Sequence, residues 1–102
     1  MAVGNIEFPH MHAVAGIKLG TSCAGIKQTE RDDLLLIEMA EGSTCAAVFT
    51  QNAFCAAPVH IARAHLDKQP RYLLINSGNA NAGTGEQGMA DAQASCASVA
   101  KL

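Results

Sequence analysis

Residues 72–102 read YLLINSGNANAGTGEQGMADAQASCASVAKL and predict a strand, a loop and a helix in that order. Residues 72–75 are a short apolar run of the kind that forms a buried strand. Residues 76–85 contain too many glycines and asparagines for regular structure, so they predict a loop. Residues 86–102 have helical composition, with apolar residues at three- and four-residue steps. The apolar face of this predicted helix consists of Met89, Ala92, Cys96 and Val99.

Strand and helix signals also precede this segment. Residues 34–39 (LLLIEM) form a continuous apolar run and residues 44–50 (TCAAVFT) favour β-structure, so together they predict a hairpin that begins with a buried strand. Residues 13–26 predict a strand or a bent pair of strands, with bends at Gly16, Gly20 and Gly25. Residues 58–66 predict a short helix, with Val59, Ala62 and Leu66 on one face. The expected fold class is therefore α/β, a mixed sheet with packed helices.

The core of such a domain is expected to be thin. Of the 102 residues 49% are apolar, but nineteen are alanine and only 4% are aromatic. Small side chains bury little area each, and burial contributes roughly 25 cal/mol per Å². The last predicted helix runs to Leu102 without a glycine, an asparagine or a polar tail that would cap it. We therefore expect residues 1–102 to form a single incomplete domain whose native chain continues past residue 102.

Charge and hydropathy exclude several classes of protein. The net charge of −2 and the scattered basic residues argue against a nucleic-acid-binding protein. No apolar run approaches the length of a membrane span, and residues 1–12 lack the pattern of a secretory signal. A cytoplasmic location is therefore expected. None of the cysteines forms a C-x-x-C pair, and in that compartment we expect all four to be reduced, small, buried hydrophobic residues. They are Cys23, Cys45, Cys55 and Cys96.

No catalytic, metal or cofactor site can be assembled from the remaining polar residues. Residues 83–88 fit G-x-G-x-x-G, but they begin eight positions after the predicted strand, which is too far for a dinucleotide site. Cys55 has no evident base beside it, and Ser77 is not in a G-x-S-x-G motif. No carboxylate or cysteine near the histidines completes a metal-binding set, so we expect no metal and no cofactor. The histidines are His10, His12, His60 and His65.

The predicted loop is the strongest candidate for a ligand site. Asparagine amides both donate and accept hydrogen bonds, and glycines let the backbone approach a ligand closely. Such groups suit the α-amino and α-carboxylate groups of an amino acid. The alternative is that the asparagines only hold their own turn together. The candidate pocket residues are Asn76, Asn79, Asn81 and Thr84.

Four segments of the sequence resemble one enzyme family. They are AGIK (residues 24–27), AVFTQN (47–52), FCAAPV (54–59) and LINSGNANAGTGEQG (74–88). These motifs resemble the bifunctional ornithine acetyltransferase / glutamate N-acetyltransferase family of arginine biosynthesis, in register from about residue 14 to the end. The long loop motif is highly specific, and the resemblance assigns the G-x-G-x-x-G pattern to this loop rather than to a nucleotide site. Ala53 stands where relatives usually carry a polar residue.

The resemblance implies a multifunctional acyltransferase. Members transfer acetyl from N-acetylornithine to glutamate, and some also use acetyl-CoA. The precursor cleaves itself, and the freed N-terminal threonine of the β chain carries the acetyl group, since a terminal amine can act as base for its own hydroxyl. The assembly implied is a heterotetramer, in which the α and β chains pair with a second αβ unit.

The family's nucleophile, its Thr-Gly oxyanion pair and its substrate-binding Lys and Glu would all lie beyond Leu102. No catalytic residue is therefore assigned within this chain. The resemblance implies an N-terminal part of the α chain of a larger ornithine acetyltransferase-like fold, inactive alone. The alternative is a small free-standing α/β module that uses the loop to bind a ligand.

Overall fold

The computed structural model describes residue 4, residues 7–27 and residues 29–102. Three strands and two helices alternate irregularly along this part of the chain. In order they are β1 (Ile17–Ser22), β2 (Leu34–Met39), α1 (Ala57–Leu66), β3 (Tyr72–Asn76) and α2 (Gly85–Ala100). The predicted α/β class is confirmed, and the predicted strands at 34–39 and 72–75 and both predicted helices are present within one or two residues.

The strands form one sheet in the order β1-β2-β3, and both pairings are antiparallel. Ile17 is opposite Met39, and Leu34 is opposite Asn76. The continuous apolar run of β2 therefore lies in the centre of the sheet, where both of its edges are paired, and all six of its residues are half-buried. Isolated apolar runs of this length are typical of such central strands.

The predicted hairpin between residues 34–39 and 44–50 is wrong. Residues 44–50 have no regular structure, and Val48 is 98% exposed. The physical reason is that β1 and β3 already occupy the two edges of β2, so the strand that the hairpin would need has no free edge. It is held instead by side chains: the Arg63 guanidinium lies 5.2 Å from the centre of the Phe49 ring and donates a hydrogen bond to the Thr50 carbonyl oxygen at 3.2 Å.

Residues 13–26 contain one strand, and only two of the three predicted bends are present. Gly16 and Gly25 have positive φ angles of 84° and 70° and lie outside β1. Gly20 lies within β1 and pairs with Leu36, so it is not at a bend. The polar residues 28–33 predict a turn. Gln28 lies outside the described residues, and residues 29 and 30 are in a turn.

Helix α1 packs against α2, and its buried residues are Ala57 and Ile61. They are four positions apart, so they share one side of the helix. Of the three residues predicted to share a face of this helix, Val59 and Leu66 are half-buried and Ala62 is exposed. On α2, Met89, Ala92 and Val99 are half-buried as the periodicity predicted, whereas Cys96 is exposed.

The apolar surface of the sheet is only partly covered. Tyr72, Leu73, Leu74 and Ile75 of β3 are all exposed, contrary to the prediction of a buried strand. Among the described residues, Ala57 and Ile61 are the only buried apolar ones. The radius of gyration is 15.3 Å, against about 13 Å for a compact domain of this length. The core is thus as thin as the alanine-rich composition predicts. Within the described part of the chain, no helix combines the length and the apolar character needed to cross a membrane.

Candidate functional site

The loop between β3 and α2 is held at both ends by close backbone packing. The Ser77 amide donates a hydrogen bond to the Asp33 carbonyl oxygen at 2.9 Å. Gly78 has a φ of 85°, and a Cβ there would lie 2.9 Å from the Lys27 Cβ. Gly83 has a φ of 69°, and a Cβ there would lie 3.2 Å from Phe54 Cζ. A side chain at either position would be strained and crowded, which explains why the loop carries glycine there.

Three of the four predicted pocket residues form a chain of amide hydrogen bonds. Asn79 Nδ2 donates to Asn81 Oδ1 at 3.3 Å, and Asn81 Nδ2 donates to Asn76 Oδ1 at 2.8 Å. Asn81 is half-buried at the centre of this chain, whereas Asn76 and Asn79 are exposed. These contacts are those expected of a loop that holds itself together. Among the described residues, no hydrogen bond is donated to the side-chain oxygen of Asn79.

Thr84, the fourth predicted residue, stands at the N-cap of α2 but does not cap it. Its side chain makes no hydrogen bond to the helix and instead points back to the Asn81 carbonyl oxygen, at 3.5 Å. The first N–H groups of α2 are therefore left without a side-chain partner, and such groups favour an anion. A Cβ at Gly88 would overlap the Thr84 side chain, so the two residues fit closely across the first turn.

An open cavity of about 220 Å³ lies between this loop and the start of α1. Both helices begin at it, since Ala57 and Gly85 contribute to its wall. Its volume is below the roughly 300–1,000 Å³ of pockets that hold drug-sized molecules, so it suits a small ligand. The side chains that line it include Phe54, Cys55, His60, Thr84 and Met89.

Cys55 and His60 meet in the wall of this cavity. The Cys55 Sγ lies 3.1 Å from the His60 Nε2. The prediction that Cys55 has no base beside it is therefore wrong. With Ala56 as the N-cap, Cys55 is the residue before the cap and His60 is the fourth helical residue. Side chains at these two positions regularly contact each other at a helix start, so the helix boundary was the missing signal.

A second cavity, of about 140 Å³, lies at the beginning of the loop, beside Asn76 and Ser77. Asp33 contributes to its wall. The Asp33 carboxylate accepts hydrogen bonds from the amides of Ala24, at 2.6 Å, and Ile26, at 2.7 Å. These two bonds stabilise the charged form and hold the Asp33 pKa below its usual value of 3.8. Of the predicted pocket residues, Asn76 lines this cavity and Thr84 lines the first one, whereas Asn79 and Asn81 line neither.

The remaining candidate groups are dispersed. The rings of His10 and His12 meet edge to face at 4.6 Å. Within residues 7–27 and 29–102, no three His, Cys, Asp or Glu side chains are placed to share a metal ion. The prediction of four buried cysteines is wrong: Cys23 and Cys96 are exposed, while Cys45 and Cys55 are half-buried. The thin core explains this, because it encloses so few side chains of any type.

Comparison with known proteins places the chain in one family. The sequence profile of the ArgJ family matches residues 18–102. The chain is 72% identical over 98 residues to the arginine biosynthesis bifunctional protein ArgJ of Methylococcus capsulatus, covering 96% of this chain and 24% of that protein. It is 54% identical to the ArgJ of Pseudomonas fluorescens over 102 residues, covering all of this chain and 25% of that protein. The chain therefore spans about a quarter of the length of the curated relatives it matches.

Two solved structures are similar to this fold. One is the ornithine acetyltransferase of Mycobacterium tuberculosis, solved in complex with ornithine: the TM-score is 0.70 and the identity 39%, over 78% of this chain and 42% of that one. The other is the ArgJ protein of Bacillus halodurans, with a TM-score of 0.73 and 32% identity over 81% of this chain and 44% of that one. With the fold, the loop and the sequence match in agreement, the chain belongs to the ArgJ family.

Proposed function

We propose that these 102 residues are the N-terminal part of the α chain of an acetyltransferase that moves acetyl from N-acetylornithine to glutamate. The observation that carries the proposal is the match of residues 18–102 to the ArgJ family, with 72% identity to the Methylococcus capsulatus protein. The ornithine complex of the Mycobacterium tuberculosis relative supports an ornithine-type substrate. The proposed location is the cytoplasm.

In this proposal the chemistry takes place on residues outside this chain. An N-terminal threonine of a β chain, freed by self-cleavage, would take the acetyl group, as in the family that the sequence resembles. A second αβ unit would complete a heterotetramer, and acetyl-CoA is a further candidate donor. The chain described here would contribute a wall of the substrate pocket and no catalytic residue.

The loop between β3 and α2 is the part of the chain that we assign to that wall. The uncapped N–H groups at the start of α2 suit the carboxylate of an amino acid. The side-chain oxygen of the exposed Asn79 suits an ammonium group, because an amide oxygen accepts hydrogen bonds. Thr84 comes between Asn79 and the start of α2 in the sequence, and it lines the 220 Å³ cavity.

The purified chain tests this proposal against a free-standing binding module. We expect no acetyl transfer between N-acetylornithine and glutamate, and no saturable binding of either amino acid by calorimetry. A module that works by itself would bind one molecule of such a ligand per chain. Turnover by the isolated chain would contradict the proposal directly, because acetyl transfer would then take place on residues of this chain alone.

A full-length chimera is the protein in which variants of this segment are measured. In it, this chain replaces the matching quarter of the Methylococcus capsulatus ArgJ protein, to which it is 72% identical. The chimera keeps every residue of the relative that lies beyond the match. Any change in its activity can therefore be assigned to the segment described here.

A further inference from the structure

We propose that Cys55 is a base-assisted nucleophile, with His60 as its base, and that it reacts with a small carbon electrophile that enters the 220 Å³ cavity. The proposal rests on the pair itself, with 3.1 Å between Sγ and Nε2, and on the place of both side chains in the cavity wall. It is independent of acetyl transfer, which the preceding section assigns to residues outside this chain.

The position of the pair favours a negative charge on sulfur during the reaction. Cys55 comes two residues before the first residue of α1, and no side chain caps that helix. The start of α2 lies in the wall of the same cavity. Each helix N-terminus carries a partial positive charge that acts within its first turn. No carboxylate is among the described residues that line the cavity; the nearest acidic residue in the sequence of α2 is Glu86, which follows Gly85 in the first turn.

Another half-buried cysteine provides a contrast within the chain. Cys45 Sγ lies 3.6 Å from the Met39 sulfur and 3.5 Å from the Pro70 carbonyl oxygen. Neither group accepts a proton at neutral pH, whereas a neutral imidazole does. Cys96 is exposed on α2 and serves as a reference for a thiol whose access to reagent is greater than that of Cys55.

The reaction is a simple displacement. As the bond forms between Sγ and the carbon of the electrophile, the thiol proton passes to His60 Nε2. The leaving group departs with the electron pair of its bond to that carbon. With iodoacetamide the product is a carboxamidomethyl cysteine and the leaving group is iodide. The imidazolium then returns its proton to water.

The test is timed iodoacetamide labelling of the folded chimera at neutral pH, with the four cysteines of this segment followed separately by mass spectrometry of their peptides. We expect Cys55 to react about tenfold faster than the more exposed Cys96, a modest part of what a positioned base can contribute. In denaturing urea the difference should disappear. If Cys55 reacts no faster than Cys96 in the native chimera, the proposal is overturned without any variant.

Two histidine variants separate the base from a structural contact. His60→Gln should lower the Cys55 rate to about that of Cys96, while His65→Gln, five residues later in the same helix, should leave it unchanged. Helix content by circular dichroism shows whether each variant is folded. A contact that only fixes the helix start predicts a lower melting temperature for His60→Gln with no effect on labelling. An unchanged Cys55 rate in folded His60→Gln would overturn the role of His60. If that variant unfolds, the comparison of the native with the urea-treated unsubstituted chimera decides.

Discussion

Asp33 connects three segments of the chain through its backbone and its carboxylate. Its amide donates to the Ser22 carbonyl oxygen and its carbonyl oxygen accepts from the Ser77 amide, so the residue extends the sheet at the end where the loop begins. Its carboxylate holds the segment that follows β1 through two short bonds from backbone amides. The proposed pocket loop therefore depends on a residue outside it.

This arrangement predicts a pH dependence of stability. The folded-state pKa of Asp33 is lowered below 3.8, chiefly by the hydrogen bonds from Ala24 and Ile26. Its contribution to the free energy of unfolding is therefore fully present above about pH 4 and is lost as the pH falls through the folded-state pKa. In the chimera, Asp33→Asn should lower the melting temperature at pH 7, and its difference from the unsubstituted chimera should shrink below pH 4.

The control for Asp33→Asn is Asp32→Asn. Asp32 is the exposed neighbour, and from the described residues its carboxylate accepts a single hydrogen bond, from the Thr21 hydroxyl at 2.7 Å. This variant should melt close to the unsubstituted chimera at pH 7. The measurement is the melting temperature of the two variants between pH 3 and pH 7. Equal melting temperatures for both variants at pH 7 would show that the Asp33 carboxylate does not anchor the segment.

The asparagines of the loop are expected to differ in their roles. Asn81 is half-buried and bonded to both other asparagines, whereas Asn79 makes one exposed bond. In the chimera, Asn79→Ala should lower kcat/KM about tenfold, which is about 1.4 kcal/mol of transition-state stabilisation, with little change in melting temperature. Asn81→Ala should lower both. Gln93→Ala, an exposed amide on α2, is the control. Normal kinetics with lower melting temperatures for both asparagine variants would make the loop purely structural.

At the scale of elements, the apolar runs and the helix periodicity were predictable from the sequence, but their partners were not. Residues 34–39 read correctly as a strand because the run is short, continuous and bounded by polar residues. Residues 44–50 have similar β-propensity and form no strand, because pairing depends on which edges are free. The Cys55–His60 contact was missed for a related reason. Residues five positions apart within one helix do not share a face, but these two side chains meet because the helix begins between them.

The start of α2 gives a prediction about packing within one element. Glycine in a helix interior normally costs about 1 kcal/mol relative to alanine, so Gly88→Ala would ordinarily stabilise the chain. Here the added Cβ would overlap both Oγ1 and Cβ of Thr84. Rotation of the Thr84 side chain moves Oγ1 and Cγ2 but leaves Cβ in place, so the backbone must shift. In the chimera, we expect Gly88→Ala to destabilise the fold by about 1–3 kcal/mol, the usual cost of overpacking.

The control for Gly88→Ala is Gly20→Ala in β1, where a Cβ would meet nothing within 4 Å. This variant should melt at or slightly above the melting temperature of the unsubstituted chimera. Differential scanning calorimetry of the two variants is the measurement. A higher melting temperature for Gly88→Ala than for the unsubstituted chimera would show that the fit between Gly88 and Thr84 is loose.

At the scale of the whole molecule, the chain exposes more surface than a finished domain of its mass. Its accessible surface is 8496 Å², about 3,000 Å² above the value expected for a folded protein of 10.6 kDa. Much of β3 and several large apolar side chains elsewhere contribute to this surface. An area of this order is typical of obligate interfaces, which supports the proposal that the rest of an ArgJ protein covers it.

The isolated chain is therefore expected to self-associate and to melt without strong cooperativity. Its paired but uncovered sheet and its exposed apolar residues favour non-specific contacts between copies. Size-exclusion chromatography with light scattering should show concentration-dependent oligomers, and the chimera should not share this behaviour. A monomer that melts cooperatively above about 60 °C, near the top of the range for mesophilic domains, would mean that the exposed surface needs no cover.

The central claim is that this chain supplies the opening segment of an ArgJ acetyltransferase, and turnover by the chimera tests it most directly. Purified chimera would be assayed for transfer of acetyl from N-acetylornithine to glutamate, beside the Methylococcus capsulatus parent. We expect a kcat/KM within about tenfold of the parent, equivalent to a loss below about 1.4 kcal/mol, because the replaced segment keeps the fold and the loop of its relative. A chimera that folds with the parent's melting temperature and shows no transfer would contradict the claim.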